Sequence, residues 1–286
     1  MTSTTTTASD DLGADRAAAT PRLRWWREAA YVLAFYMIYS WVRNQFGSAG
    51  TFSANASSAL DNAEFVIDIE RAIGLFIEES IQQAFLGADW FIRFWNIFYG
   101  SLHFIVTGSV MVFLYRKFPA RYQRYRSVLA CTTGLALIGF AFFPLMPPRL
   151  LTAGGEWGAN LQGVEFVDTL ASVGGTWSFD SGAMNRLSNQ WAAMPSLHIG
   201  WATWCTMALF PLLRSRWGRT LAVIYPFLTL FAVVVTANHY WIDAVGGLIV
   251  LGAGFTLGGL LTDMLNERSF RSPLQRSWAS LRGSGR

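Results

Sequence analysis

Six apolar runs set the limits on this chain, at about residues 28–46, 90–115, 127–146, 194–213, 220–237 and 240–262. As a helix rising ~1.5 Å per residue, a run of about 20 residues reaches across a hydrocarbon layer ~30 Å thick. Lipid offers the main chain no hydrogen bonds, so segments that cross it satisfy their own N–H and C=O groups. Composition agrees. Charged residues make up 14% of the chain and hydrophobic ones 52%, against roughly 25% charged in soluble domains. The 13 Trp and 22 Phe fit the same class. The expected fold class is all-α, a polytopic integral membrane helical bundle of six transmembrane helices plus one amphipathic surface helix.

Around the runs the chain divides simply. Residues 1–27 read as a disordered cytoplasmic tail, rich in Thr, Ala and Asp before Arg22, Arg24 and Arg27. That layout also fits a secretory signal peptide with Ala54-Asn55-Ala56 as its cleavage site. The Tyr and Trp content of the first run, and the distance to that site, favour a retained helix. From Asp61 to Phe85 the pattern turns amphipathic. Phe65, Ile69, Ile73, Phe76, Ile77, Ala84 and Phe85 oppose Glu64, Asp68, Arg71, Glu78, Glu79 and Gln82. This segment is too charged to cross a bilayer and is expected to lie on its surface or cap the bundle. Residues 28–262 form one domain, and 263–286 a polar, basic cytoplasmic tail. The last run carries Gly246, Gly247, Gly254, Gly258 and Gly259, which let helices approach closely. Pro226 is expected to kink the fifth run.

With six crossings both termini share one side. Of the 22 Lys and Arg, only Arg43, Arg71, Arg93, Arg149 and Arg186 fall on the other. The positive-inside rule puts the termini in the cytoplasm. Arg149, His198 and His239 then emerge together on the extracytoplasmic face of the cell membrane. The excess charge is spread over loops, with no dense basic tract or zinc-finger spacing for nucleic acid. Cys131 and Cys205 each sit in an apolar run, which argues against a disulfide framework.

Two of the three histidines fall in short polar breaks, Trp191-Ala-Ala-Met-Pro-Ser-Leu-His198 and Asn238-His-Tyr-Trp-Ile-Asp243. This set suits metal-free phosphoryl transfer. Arginine offers phosphate a planar, permanently charged fork. One histidine can attack phosphorus and the other can protonate the leaving oxygen. Asp243, one turn after His239, is placed to fix its tautomer. Ser196 and the free N–H groups of a helix start favour phosphate oxygens.

Met194-Pro-Ser-Leu-His198 and Asn238-His-Tyr-Trp-Ile-Asp243 resemble the second and third motifs of the type 2 phosphatidic acid phosphatase superfamily. Pro147-Pro148-Arg149 and Ala-Ala-Met-Pro-Ser-Leu-His point within it to the inositol phosphorylceramide synthase-like, or inositolphosphotransferase, branch. The resemblance covers roughly residues 60–262. It implies His239 as nucleophile forming a phosphohistidine, Asp243 as its partner, His198 as general acid and Arg149 as the phosphate-binding arginine. It also implies a phospholipid or lipid phosphate substrate and no cofactor. The phosphatases carry Ser-Arg where this chain has Ala232-Val233, and Gly where it has Leu197. Both departures fit the synthase-like branch. A lipid phosphate phosphatase using water, of phosphatidic acid or polyprenyl diphosphate type, is the alternative.

Lys117 and Arg124 mimic the phosphatase first motif, but the third run separates them from the histidines by roughly 30 Å. His103, with Tyr99 one turn earlier, reads as a structural or supporting hydrogen bond. Arg186 and the carboxylates Glu156, Glu165, Asp168 and Asp180 read as a solvated loop, and Trp157, Trp177 and Trp191 as interface anchors. A metal site of His198, His239 and Asp243 lacks further ligands at metal spacing. A non-enzymatic transporter lacks the inverted repeats and paired broken helices of that class.

Overall fold

The apolar runs become helices, and the polar breaks between them become the corners that carry the chemistry. The computed structural model describes residues 23–46, 56–151, 161, 163–175 and 190–283. The helices are α1 (Trp25–Phe46), α2 (Ala56–Ala72), α3 (Glu78–Phe85), α4 (Asp89–Lys117), α5 (Pro119–Phe142), α6 (Thr169–Ser172), α7 (Leu197–Leu209), α8 (Arg216–Val235) and α9 (Trp241–Gly283). A π-helical turn, Phe98–Leu102, interrupts α4, and a 3-10 turn covers Pro148–Leu150. Among the described residues there is no strand, only an isolated bridge between Leu145 and Ala192. Pro119 opens α5, where a missing N–H costs nothing. α8 runs on through Pro226.

Four helices are long and apolar enough to cross a membrane: α4, α5, α8 and the Trp241–Leu265 part of α9. The chain is thus an all-helical, multi-pass membrane protein. Two of the six expected crossings fall outside this group. α7 has 13 helical residues, about 20 Å of helix against a layer of about 30 Å. α1 has 22 residues, but Arg27, Glu28 and Arg43 lower its apolarity. Its base is fixed to α5, where Glu28 pairs with Arg126 and accepts from the Tyr122 hydroxyl. α9 continues past the expected end of the last run to Gly283.

The amphipathic stretch differs from its expected form. Gly74, at φ 71°, breaks it into α2 and α3. The buried face is also another one. Ala59, Ala63, Val66, Ile67 and Glu70 point inward from α2, and Glu78 and Gln82 from α3. Phe65, Ile73 and Ile77, on the apolar side of the amphipathic pattern, are exposed. The polar side chains turn inward because main-chain groups await them there: Gln82 both donates to and accepts from the Val167 main chain at 2.9 Å. α2 packs with Leu145, Met146, Trp191 and Tyr240 in the cluster that roofs the helix ends. Residues 1–22, Ala54, Glu156, Trp157, Trp177, Asp180 and Arg186 lie outside the described residues.

α9 lies closely against α5 because glycines line their contact. A Cβ added at Gly258 would sit 2.5 Å from the Val128 nitrogen, and one at Gly254 would collide with Thr132. Nearer the corner, Gly246 packs on Pro195 and Gly247 on the Ser196 carbonyl. The spacing of these small residues sets where the His198 and His239 corners meet. Gly258→Leu is expected to force the two backbones apart and destabilise the fold by about 1–3 kcal/mol. The readout is the apparent Tm of the purified protein, with Gly252→Leu, at a position where nothing lies within 4 Å of an added Cβ, unchanged as the control.

Candidate active site

Three corners, distant in sequence, are stitched together by main-chain hydrogen bonds. Leu145 N–H donates to the Trp191 carbonyl at 2.8 Å, Arg149 N–H to the Ala237 carbonyl at 2.7 Å, and Ser196 N–H to the Asp243 carbonyl at 2.9 Å. The Tyr240 hydroxyl donates to the Met146 carbonyl at 3.0 Å. Buried main-chain groups need partners, and here each corner supplies another's. Two residues past the end of α8, Ala237 turns the chain at φ 52°, a left-handed conformation that costs an alanine roughly 1–2 kcal/mol. Ala237 and Asn238 N–H return to the carbonyls of Val234 and Val233, both at 2.8 Å. This closing turn aims His239 at the next helix start.

His239, 3% exposed, contacts Asp243 through Nδ1···Oδ2 at 3.1 Å. The same Oδ2 accepts the Tyr240 N–H at 2.9 Å. A carboxylate accepts, so His239 Nδ1 carries the proton and Nε2 keeps its lone pair. That Nε2 lies 3.2 Å from His198 Nδ1, which is therefore the N–H of this contact. Asp243, His239 and His198 form one directed chain of hydrogen bonds.

α4 supplies the far wall. The Tyr99 ring stacks on His198 with centroids 4.5 Å apart, and His103 meets His198 edge-on at 4.2 Å. His103 Nδ1 lies 3.1 Å from the Tyr99 carbonyl. The π-helical turn shifts the register between these two residues, as such turns often do beside functional groups.

Arg149, 7% exposed, sits at the rim. It donates through Nε to Asn238 Oδ1 at 3.1 Å, through Nη1 to Asp168 Oδ2 at 2.7 Å, and through Nη2 to Gln190 Oε1 at 2.5 Å. Asn238 directly precedes His239. Arg149 and Asp168 also come within electrostatic reach of the Tyr99 phenol that covers His198. Asp168 is doubly used, since its Oδ1 caps α6 by accepting from Leu170 and Ala171 N–H. The Ser196 hydroxyl is fully buried and has no hydrogen-bond partner among the described residues.

The structure thus gathers His198, His239, Asp243, Arg149 and Ser196, with Tyr99 and His103 against them. Lys117 and Arg124 sit at the opposite end of α5, about 27 Å or more of helix from the Arg149 corner. Sequence reasoning missed Asp168, Gln190 and the anchoring amide of Asn238. Asp168 did carry a signal, because Asp ahead of a short helical stretch is a favoured cap. Gln190 carried none. Trp191, expected as an interface anchor, is 3% exposed and belongs to the roof. Among the described residues, no group of three or more His, Cys, Asp or Glu is arranged to hold a metal ion.

A family model described as the PAP2 superfamily matches residues 64–257. No curated protein and no solved structure matches the chain. The match covers more than half of the 286 residues and includes Arg149, His198, His239 and Asp243. The chain belongs to the PAP2 superfamily, a membership that suggests a phosphatase- or phosphotransferase-type lipid enzyme.

The Arg149 fork fills three acceptors that a lysine ammonium cannot reach together. Arg149→Lys is expected to leave buried acceptors on Asn238 or Gln190 without a donor and to lower stability by about 2 kcal/mol or more. The measurement is thermal unfolding of the purified protein, with Arg93→Lys, at an exposed position, as the reference.

Proposed function

We propose that this PAP2 superfamily member is a membrane-embedded lipid phosphotransferase of the inositol phosphorylceramide synthase-like branch. It moves a phosphoryl or phospho-head-group unit, such as inositol phosphate, between lipids through a phosphohistidine on His239. The observation that carries this reading is the hydrogen-bonded run from Asp243 through His239 Nε2 to His198 Nδ1.

Asp243 holds the His239 proton on Nδ1, so the Nε2 lone pair is the nucleophile. In the resting site that lone pair is capped by the His198 N–H, and a phosphorus centre enters as the two rings part. Nε2 then attacks phosphorus. The bond to the leaving oxygen breaks, and His198, charged as the imidazolium beside the anionic phosphate, donates its Nδ1 proton to that oxygen and is left neutral. In the second half the acceptor hydroxyl attacks phosphorus, the P–N bond breaks, and the hydroxyl proton passes to His198. Arg149 and the partnerless Ser196 hydroxyl face the phosphate oxygens. No step calls on a metal or cofactor. The reading keeps six crossings, with α1 and α7 completing the four long helices. It keeps both termini in the cytoplasm and the site at the extracytoplasmic face of the cell membrane. Residues 28–262 act as one catalytic domain. With water as acceptor, the same steps describe a lipid phosphate phosphatase.

Purified protein incubated with a phosphorus-labelled inositol phospholipid and a lipid alcohol is expected to give an acid-labile label on His239 and a new phosphodiester lipid. Release of the label only as water-soluble inositol phosphate or phosphate, with no new lipid, would defeat the transferase reading and leave the hydrolase. His239→Ala is expected to cut turnover by about a thousandfold or more, and unchanged turnover would remove the enzyme reading altogether. Asp243→Asn is expected to trap the wrong His239 tautomer, with a loss of about the same order in kcat.

A further inference from the structure

Two glutamates that take no part in these steps lie beneath the His239 corner. Glu70, in the last turn of α2, is 1% exposed, and Glu78, at the start of α3, is 0% exposed. The left-handed Gly74 doubles the chain back between them. Leu75 and Phe76 N–H close the turn on the Glu70 carbonyl, at 2.7 and 3.2 Å. Each carboxylate spends one oxygen on the start of α9. Glu70 Oε1 accepts from Ile242 N–H at 3.0 Å, and Glu78 Oε1 from Trp241 N–H at 2.9 Å. Tyr240 N–H goes to Asp243. Three successive donors that open α9 therefore end on three different carboxylates, where the helix dipole favours negative charge.

The remaining oxygens, Oε2 of Glu70 and of Glu78, are buried and have no donor among the described residues. The two carboxyl groups hold neighbouring N–H groups of one helix start and interact with each other there, which favours the protonated form of Glu70. Two ionised carboxylates cannot bond, because each only accepts. A single proton between them satisfies both oxygens and removes the repulsion of like charges in a dry site.

We infer that Glu70 and Glu78 share one proton and act as positioning residues, clamping Trp241 and Ile242 so that His239 and Asp243 keep their alignment. The catalytic half of this inference rests on the function proposed above; the shared proton does not. The titratable groups facing Glu70 are Glu78 from α3, Asp243 from α9 and the Tyr240 phenol. Burial first, and then the contact with Glu78, pushes the Glu70 carboxyl up to about 9 from its ordinary 4.5. A group raised on folding stabilises fully below its unfolded value, so this contribution is complete below about 4.5 and is lost as pH rises through about 9. Above that, two facing carboxylates repel and the clamp opens.

Infrared spectroscopy of the full chain in lipid nanodiscs tests the proton directly. At neutral pH a buried, protonated carboxyl stretch is expected that fades at alkaline pH and is absent from Glu70→Gln. Glu70→Gln, whose amide can donate to Glu78 Oε2 in place of the proton, is expected to be rescued relative to Glu70→Ala. The alanine variant should lose about tenfold to a hundredfold in kcat with KM little changed, as a displaced catalytic group does. The apparent Tm of Glu70→Gln should also fall less than that of the parent between pH 7 and pH 9.5. No protonated carboxyl assignable to the pair, or Glu70→Gln as impaired as Glu70→Ala, would overturn the inference. An infrared band in a protein without phosphotransfer activity would leave the shared proton standing and bring down the enzyme reading instead.

Discussion

The constraint on which the site depends is that polar groups at helix ends, packed under a roof of apolar side chains, find their partners only in one another. The Ala237 carbonyl is taken by Arg149 N–H, the Asp243 carbonyl by Ser196 N–H, and the Met146 carbonyl by the Tyr240 hydroxyl. Each bond is worth little net, but leaving any of these groups buried and alone costs about 1–3 kcal/mol. The corners therefore have to converge, and the histidines and arginine they carry converge with them. Small residues make this affordable in space. Gly246 and Gly247 let α9 rest on Pro195 and Ser196, so the same contact that packs the bundle sets the distance between His198 and His239.

That logic also decides what could be read from the sequence. The helical class, the motif residues and the separation of Lys117 and Arg124 from the histidines follow from long apolar runs and rigid helix rise. The inward turn of Glu78 and Gln82 does not. Their periodicity marks a polar face, and only the distant main chains of Trp241 and Val167 explain why that face is buried. The break at Gly74 was hidden inside a plausible helical pattern. The left-handed Ala237 had no glycine to announce it. Gln190 is chosen by its reach to Arg149 across 41 residues, which no local pattern encodes. What sequence carries well is the element and the motif; what it carries poorly is polar partnership between elements.

The resting geometry has a chemical consequence. His239 Nε2, the lone pair set up by Asp243, is already engaged by the His198 N–H. In the mechanism proposed, water reaching the site meets a nucleophile that is capped, and the cap is the proton needed by the leaving oxygen. Opening the contact for a phosphorus centre exposes the lone pair and frees the proton in one motion, and stacking of Tyr99 on His198 limits where that ring can go. In that mechanism the acid and the nucleophile are coupled before substrate arrives.

Charge bears on which lipid such a site suits. The position where phosphatases of the superfamily resemble one another in carrying a second arginine is here Val233, beside Ala232, and both are packed in the core at 1% and 0% exposure. Among the described residues at the site, Arg149 is then the one arginine, and its charge is already met by Asp168. Asp243 adds a second carboxylate, shared with the His239 ring. A phosphate monoester brings close to two negative charges at neutral pH, a phosphodiester only one. In a dry site with one arginine and two carboxylates, each uncompensated charge carries a steep desolvation cost. For the function proposed, this balance argues for a monoanionic phosphodiester donor, the kind that a head-group transfer between lipids consumes.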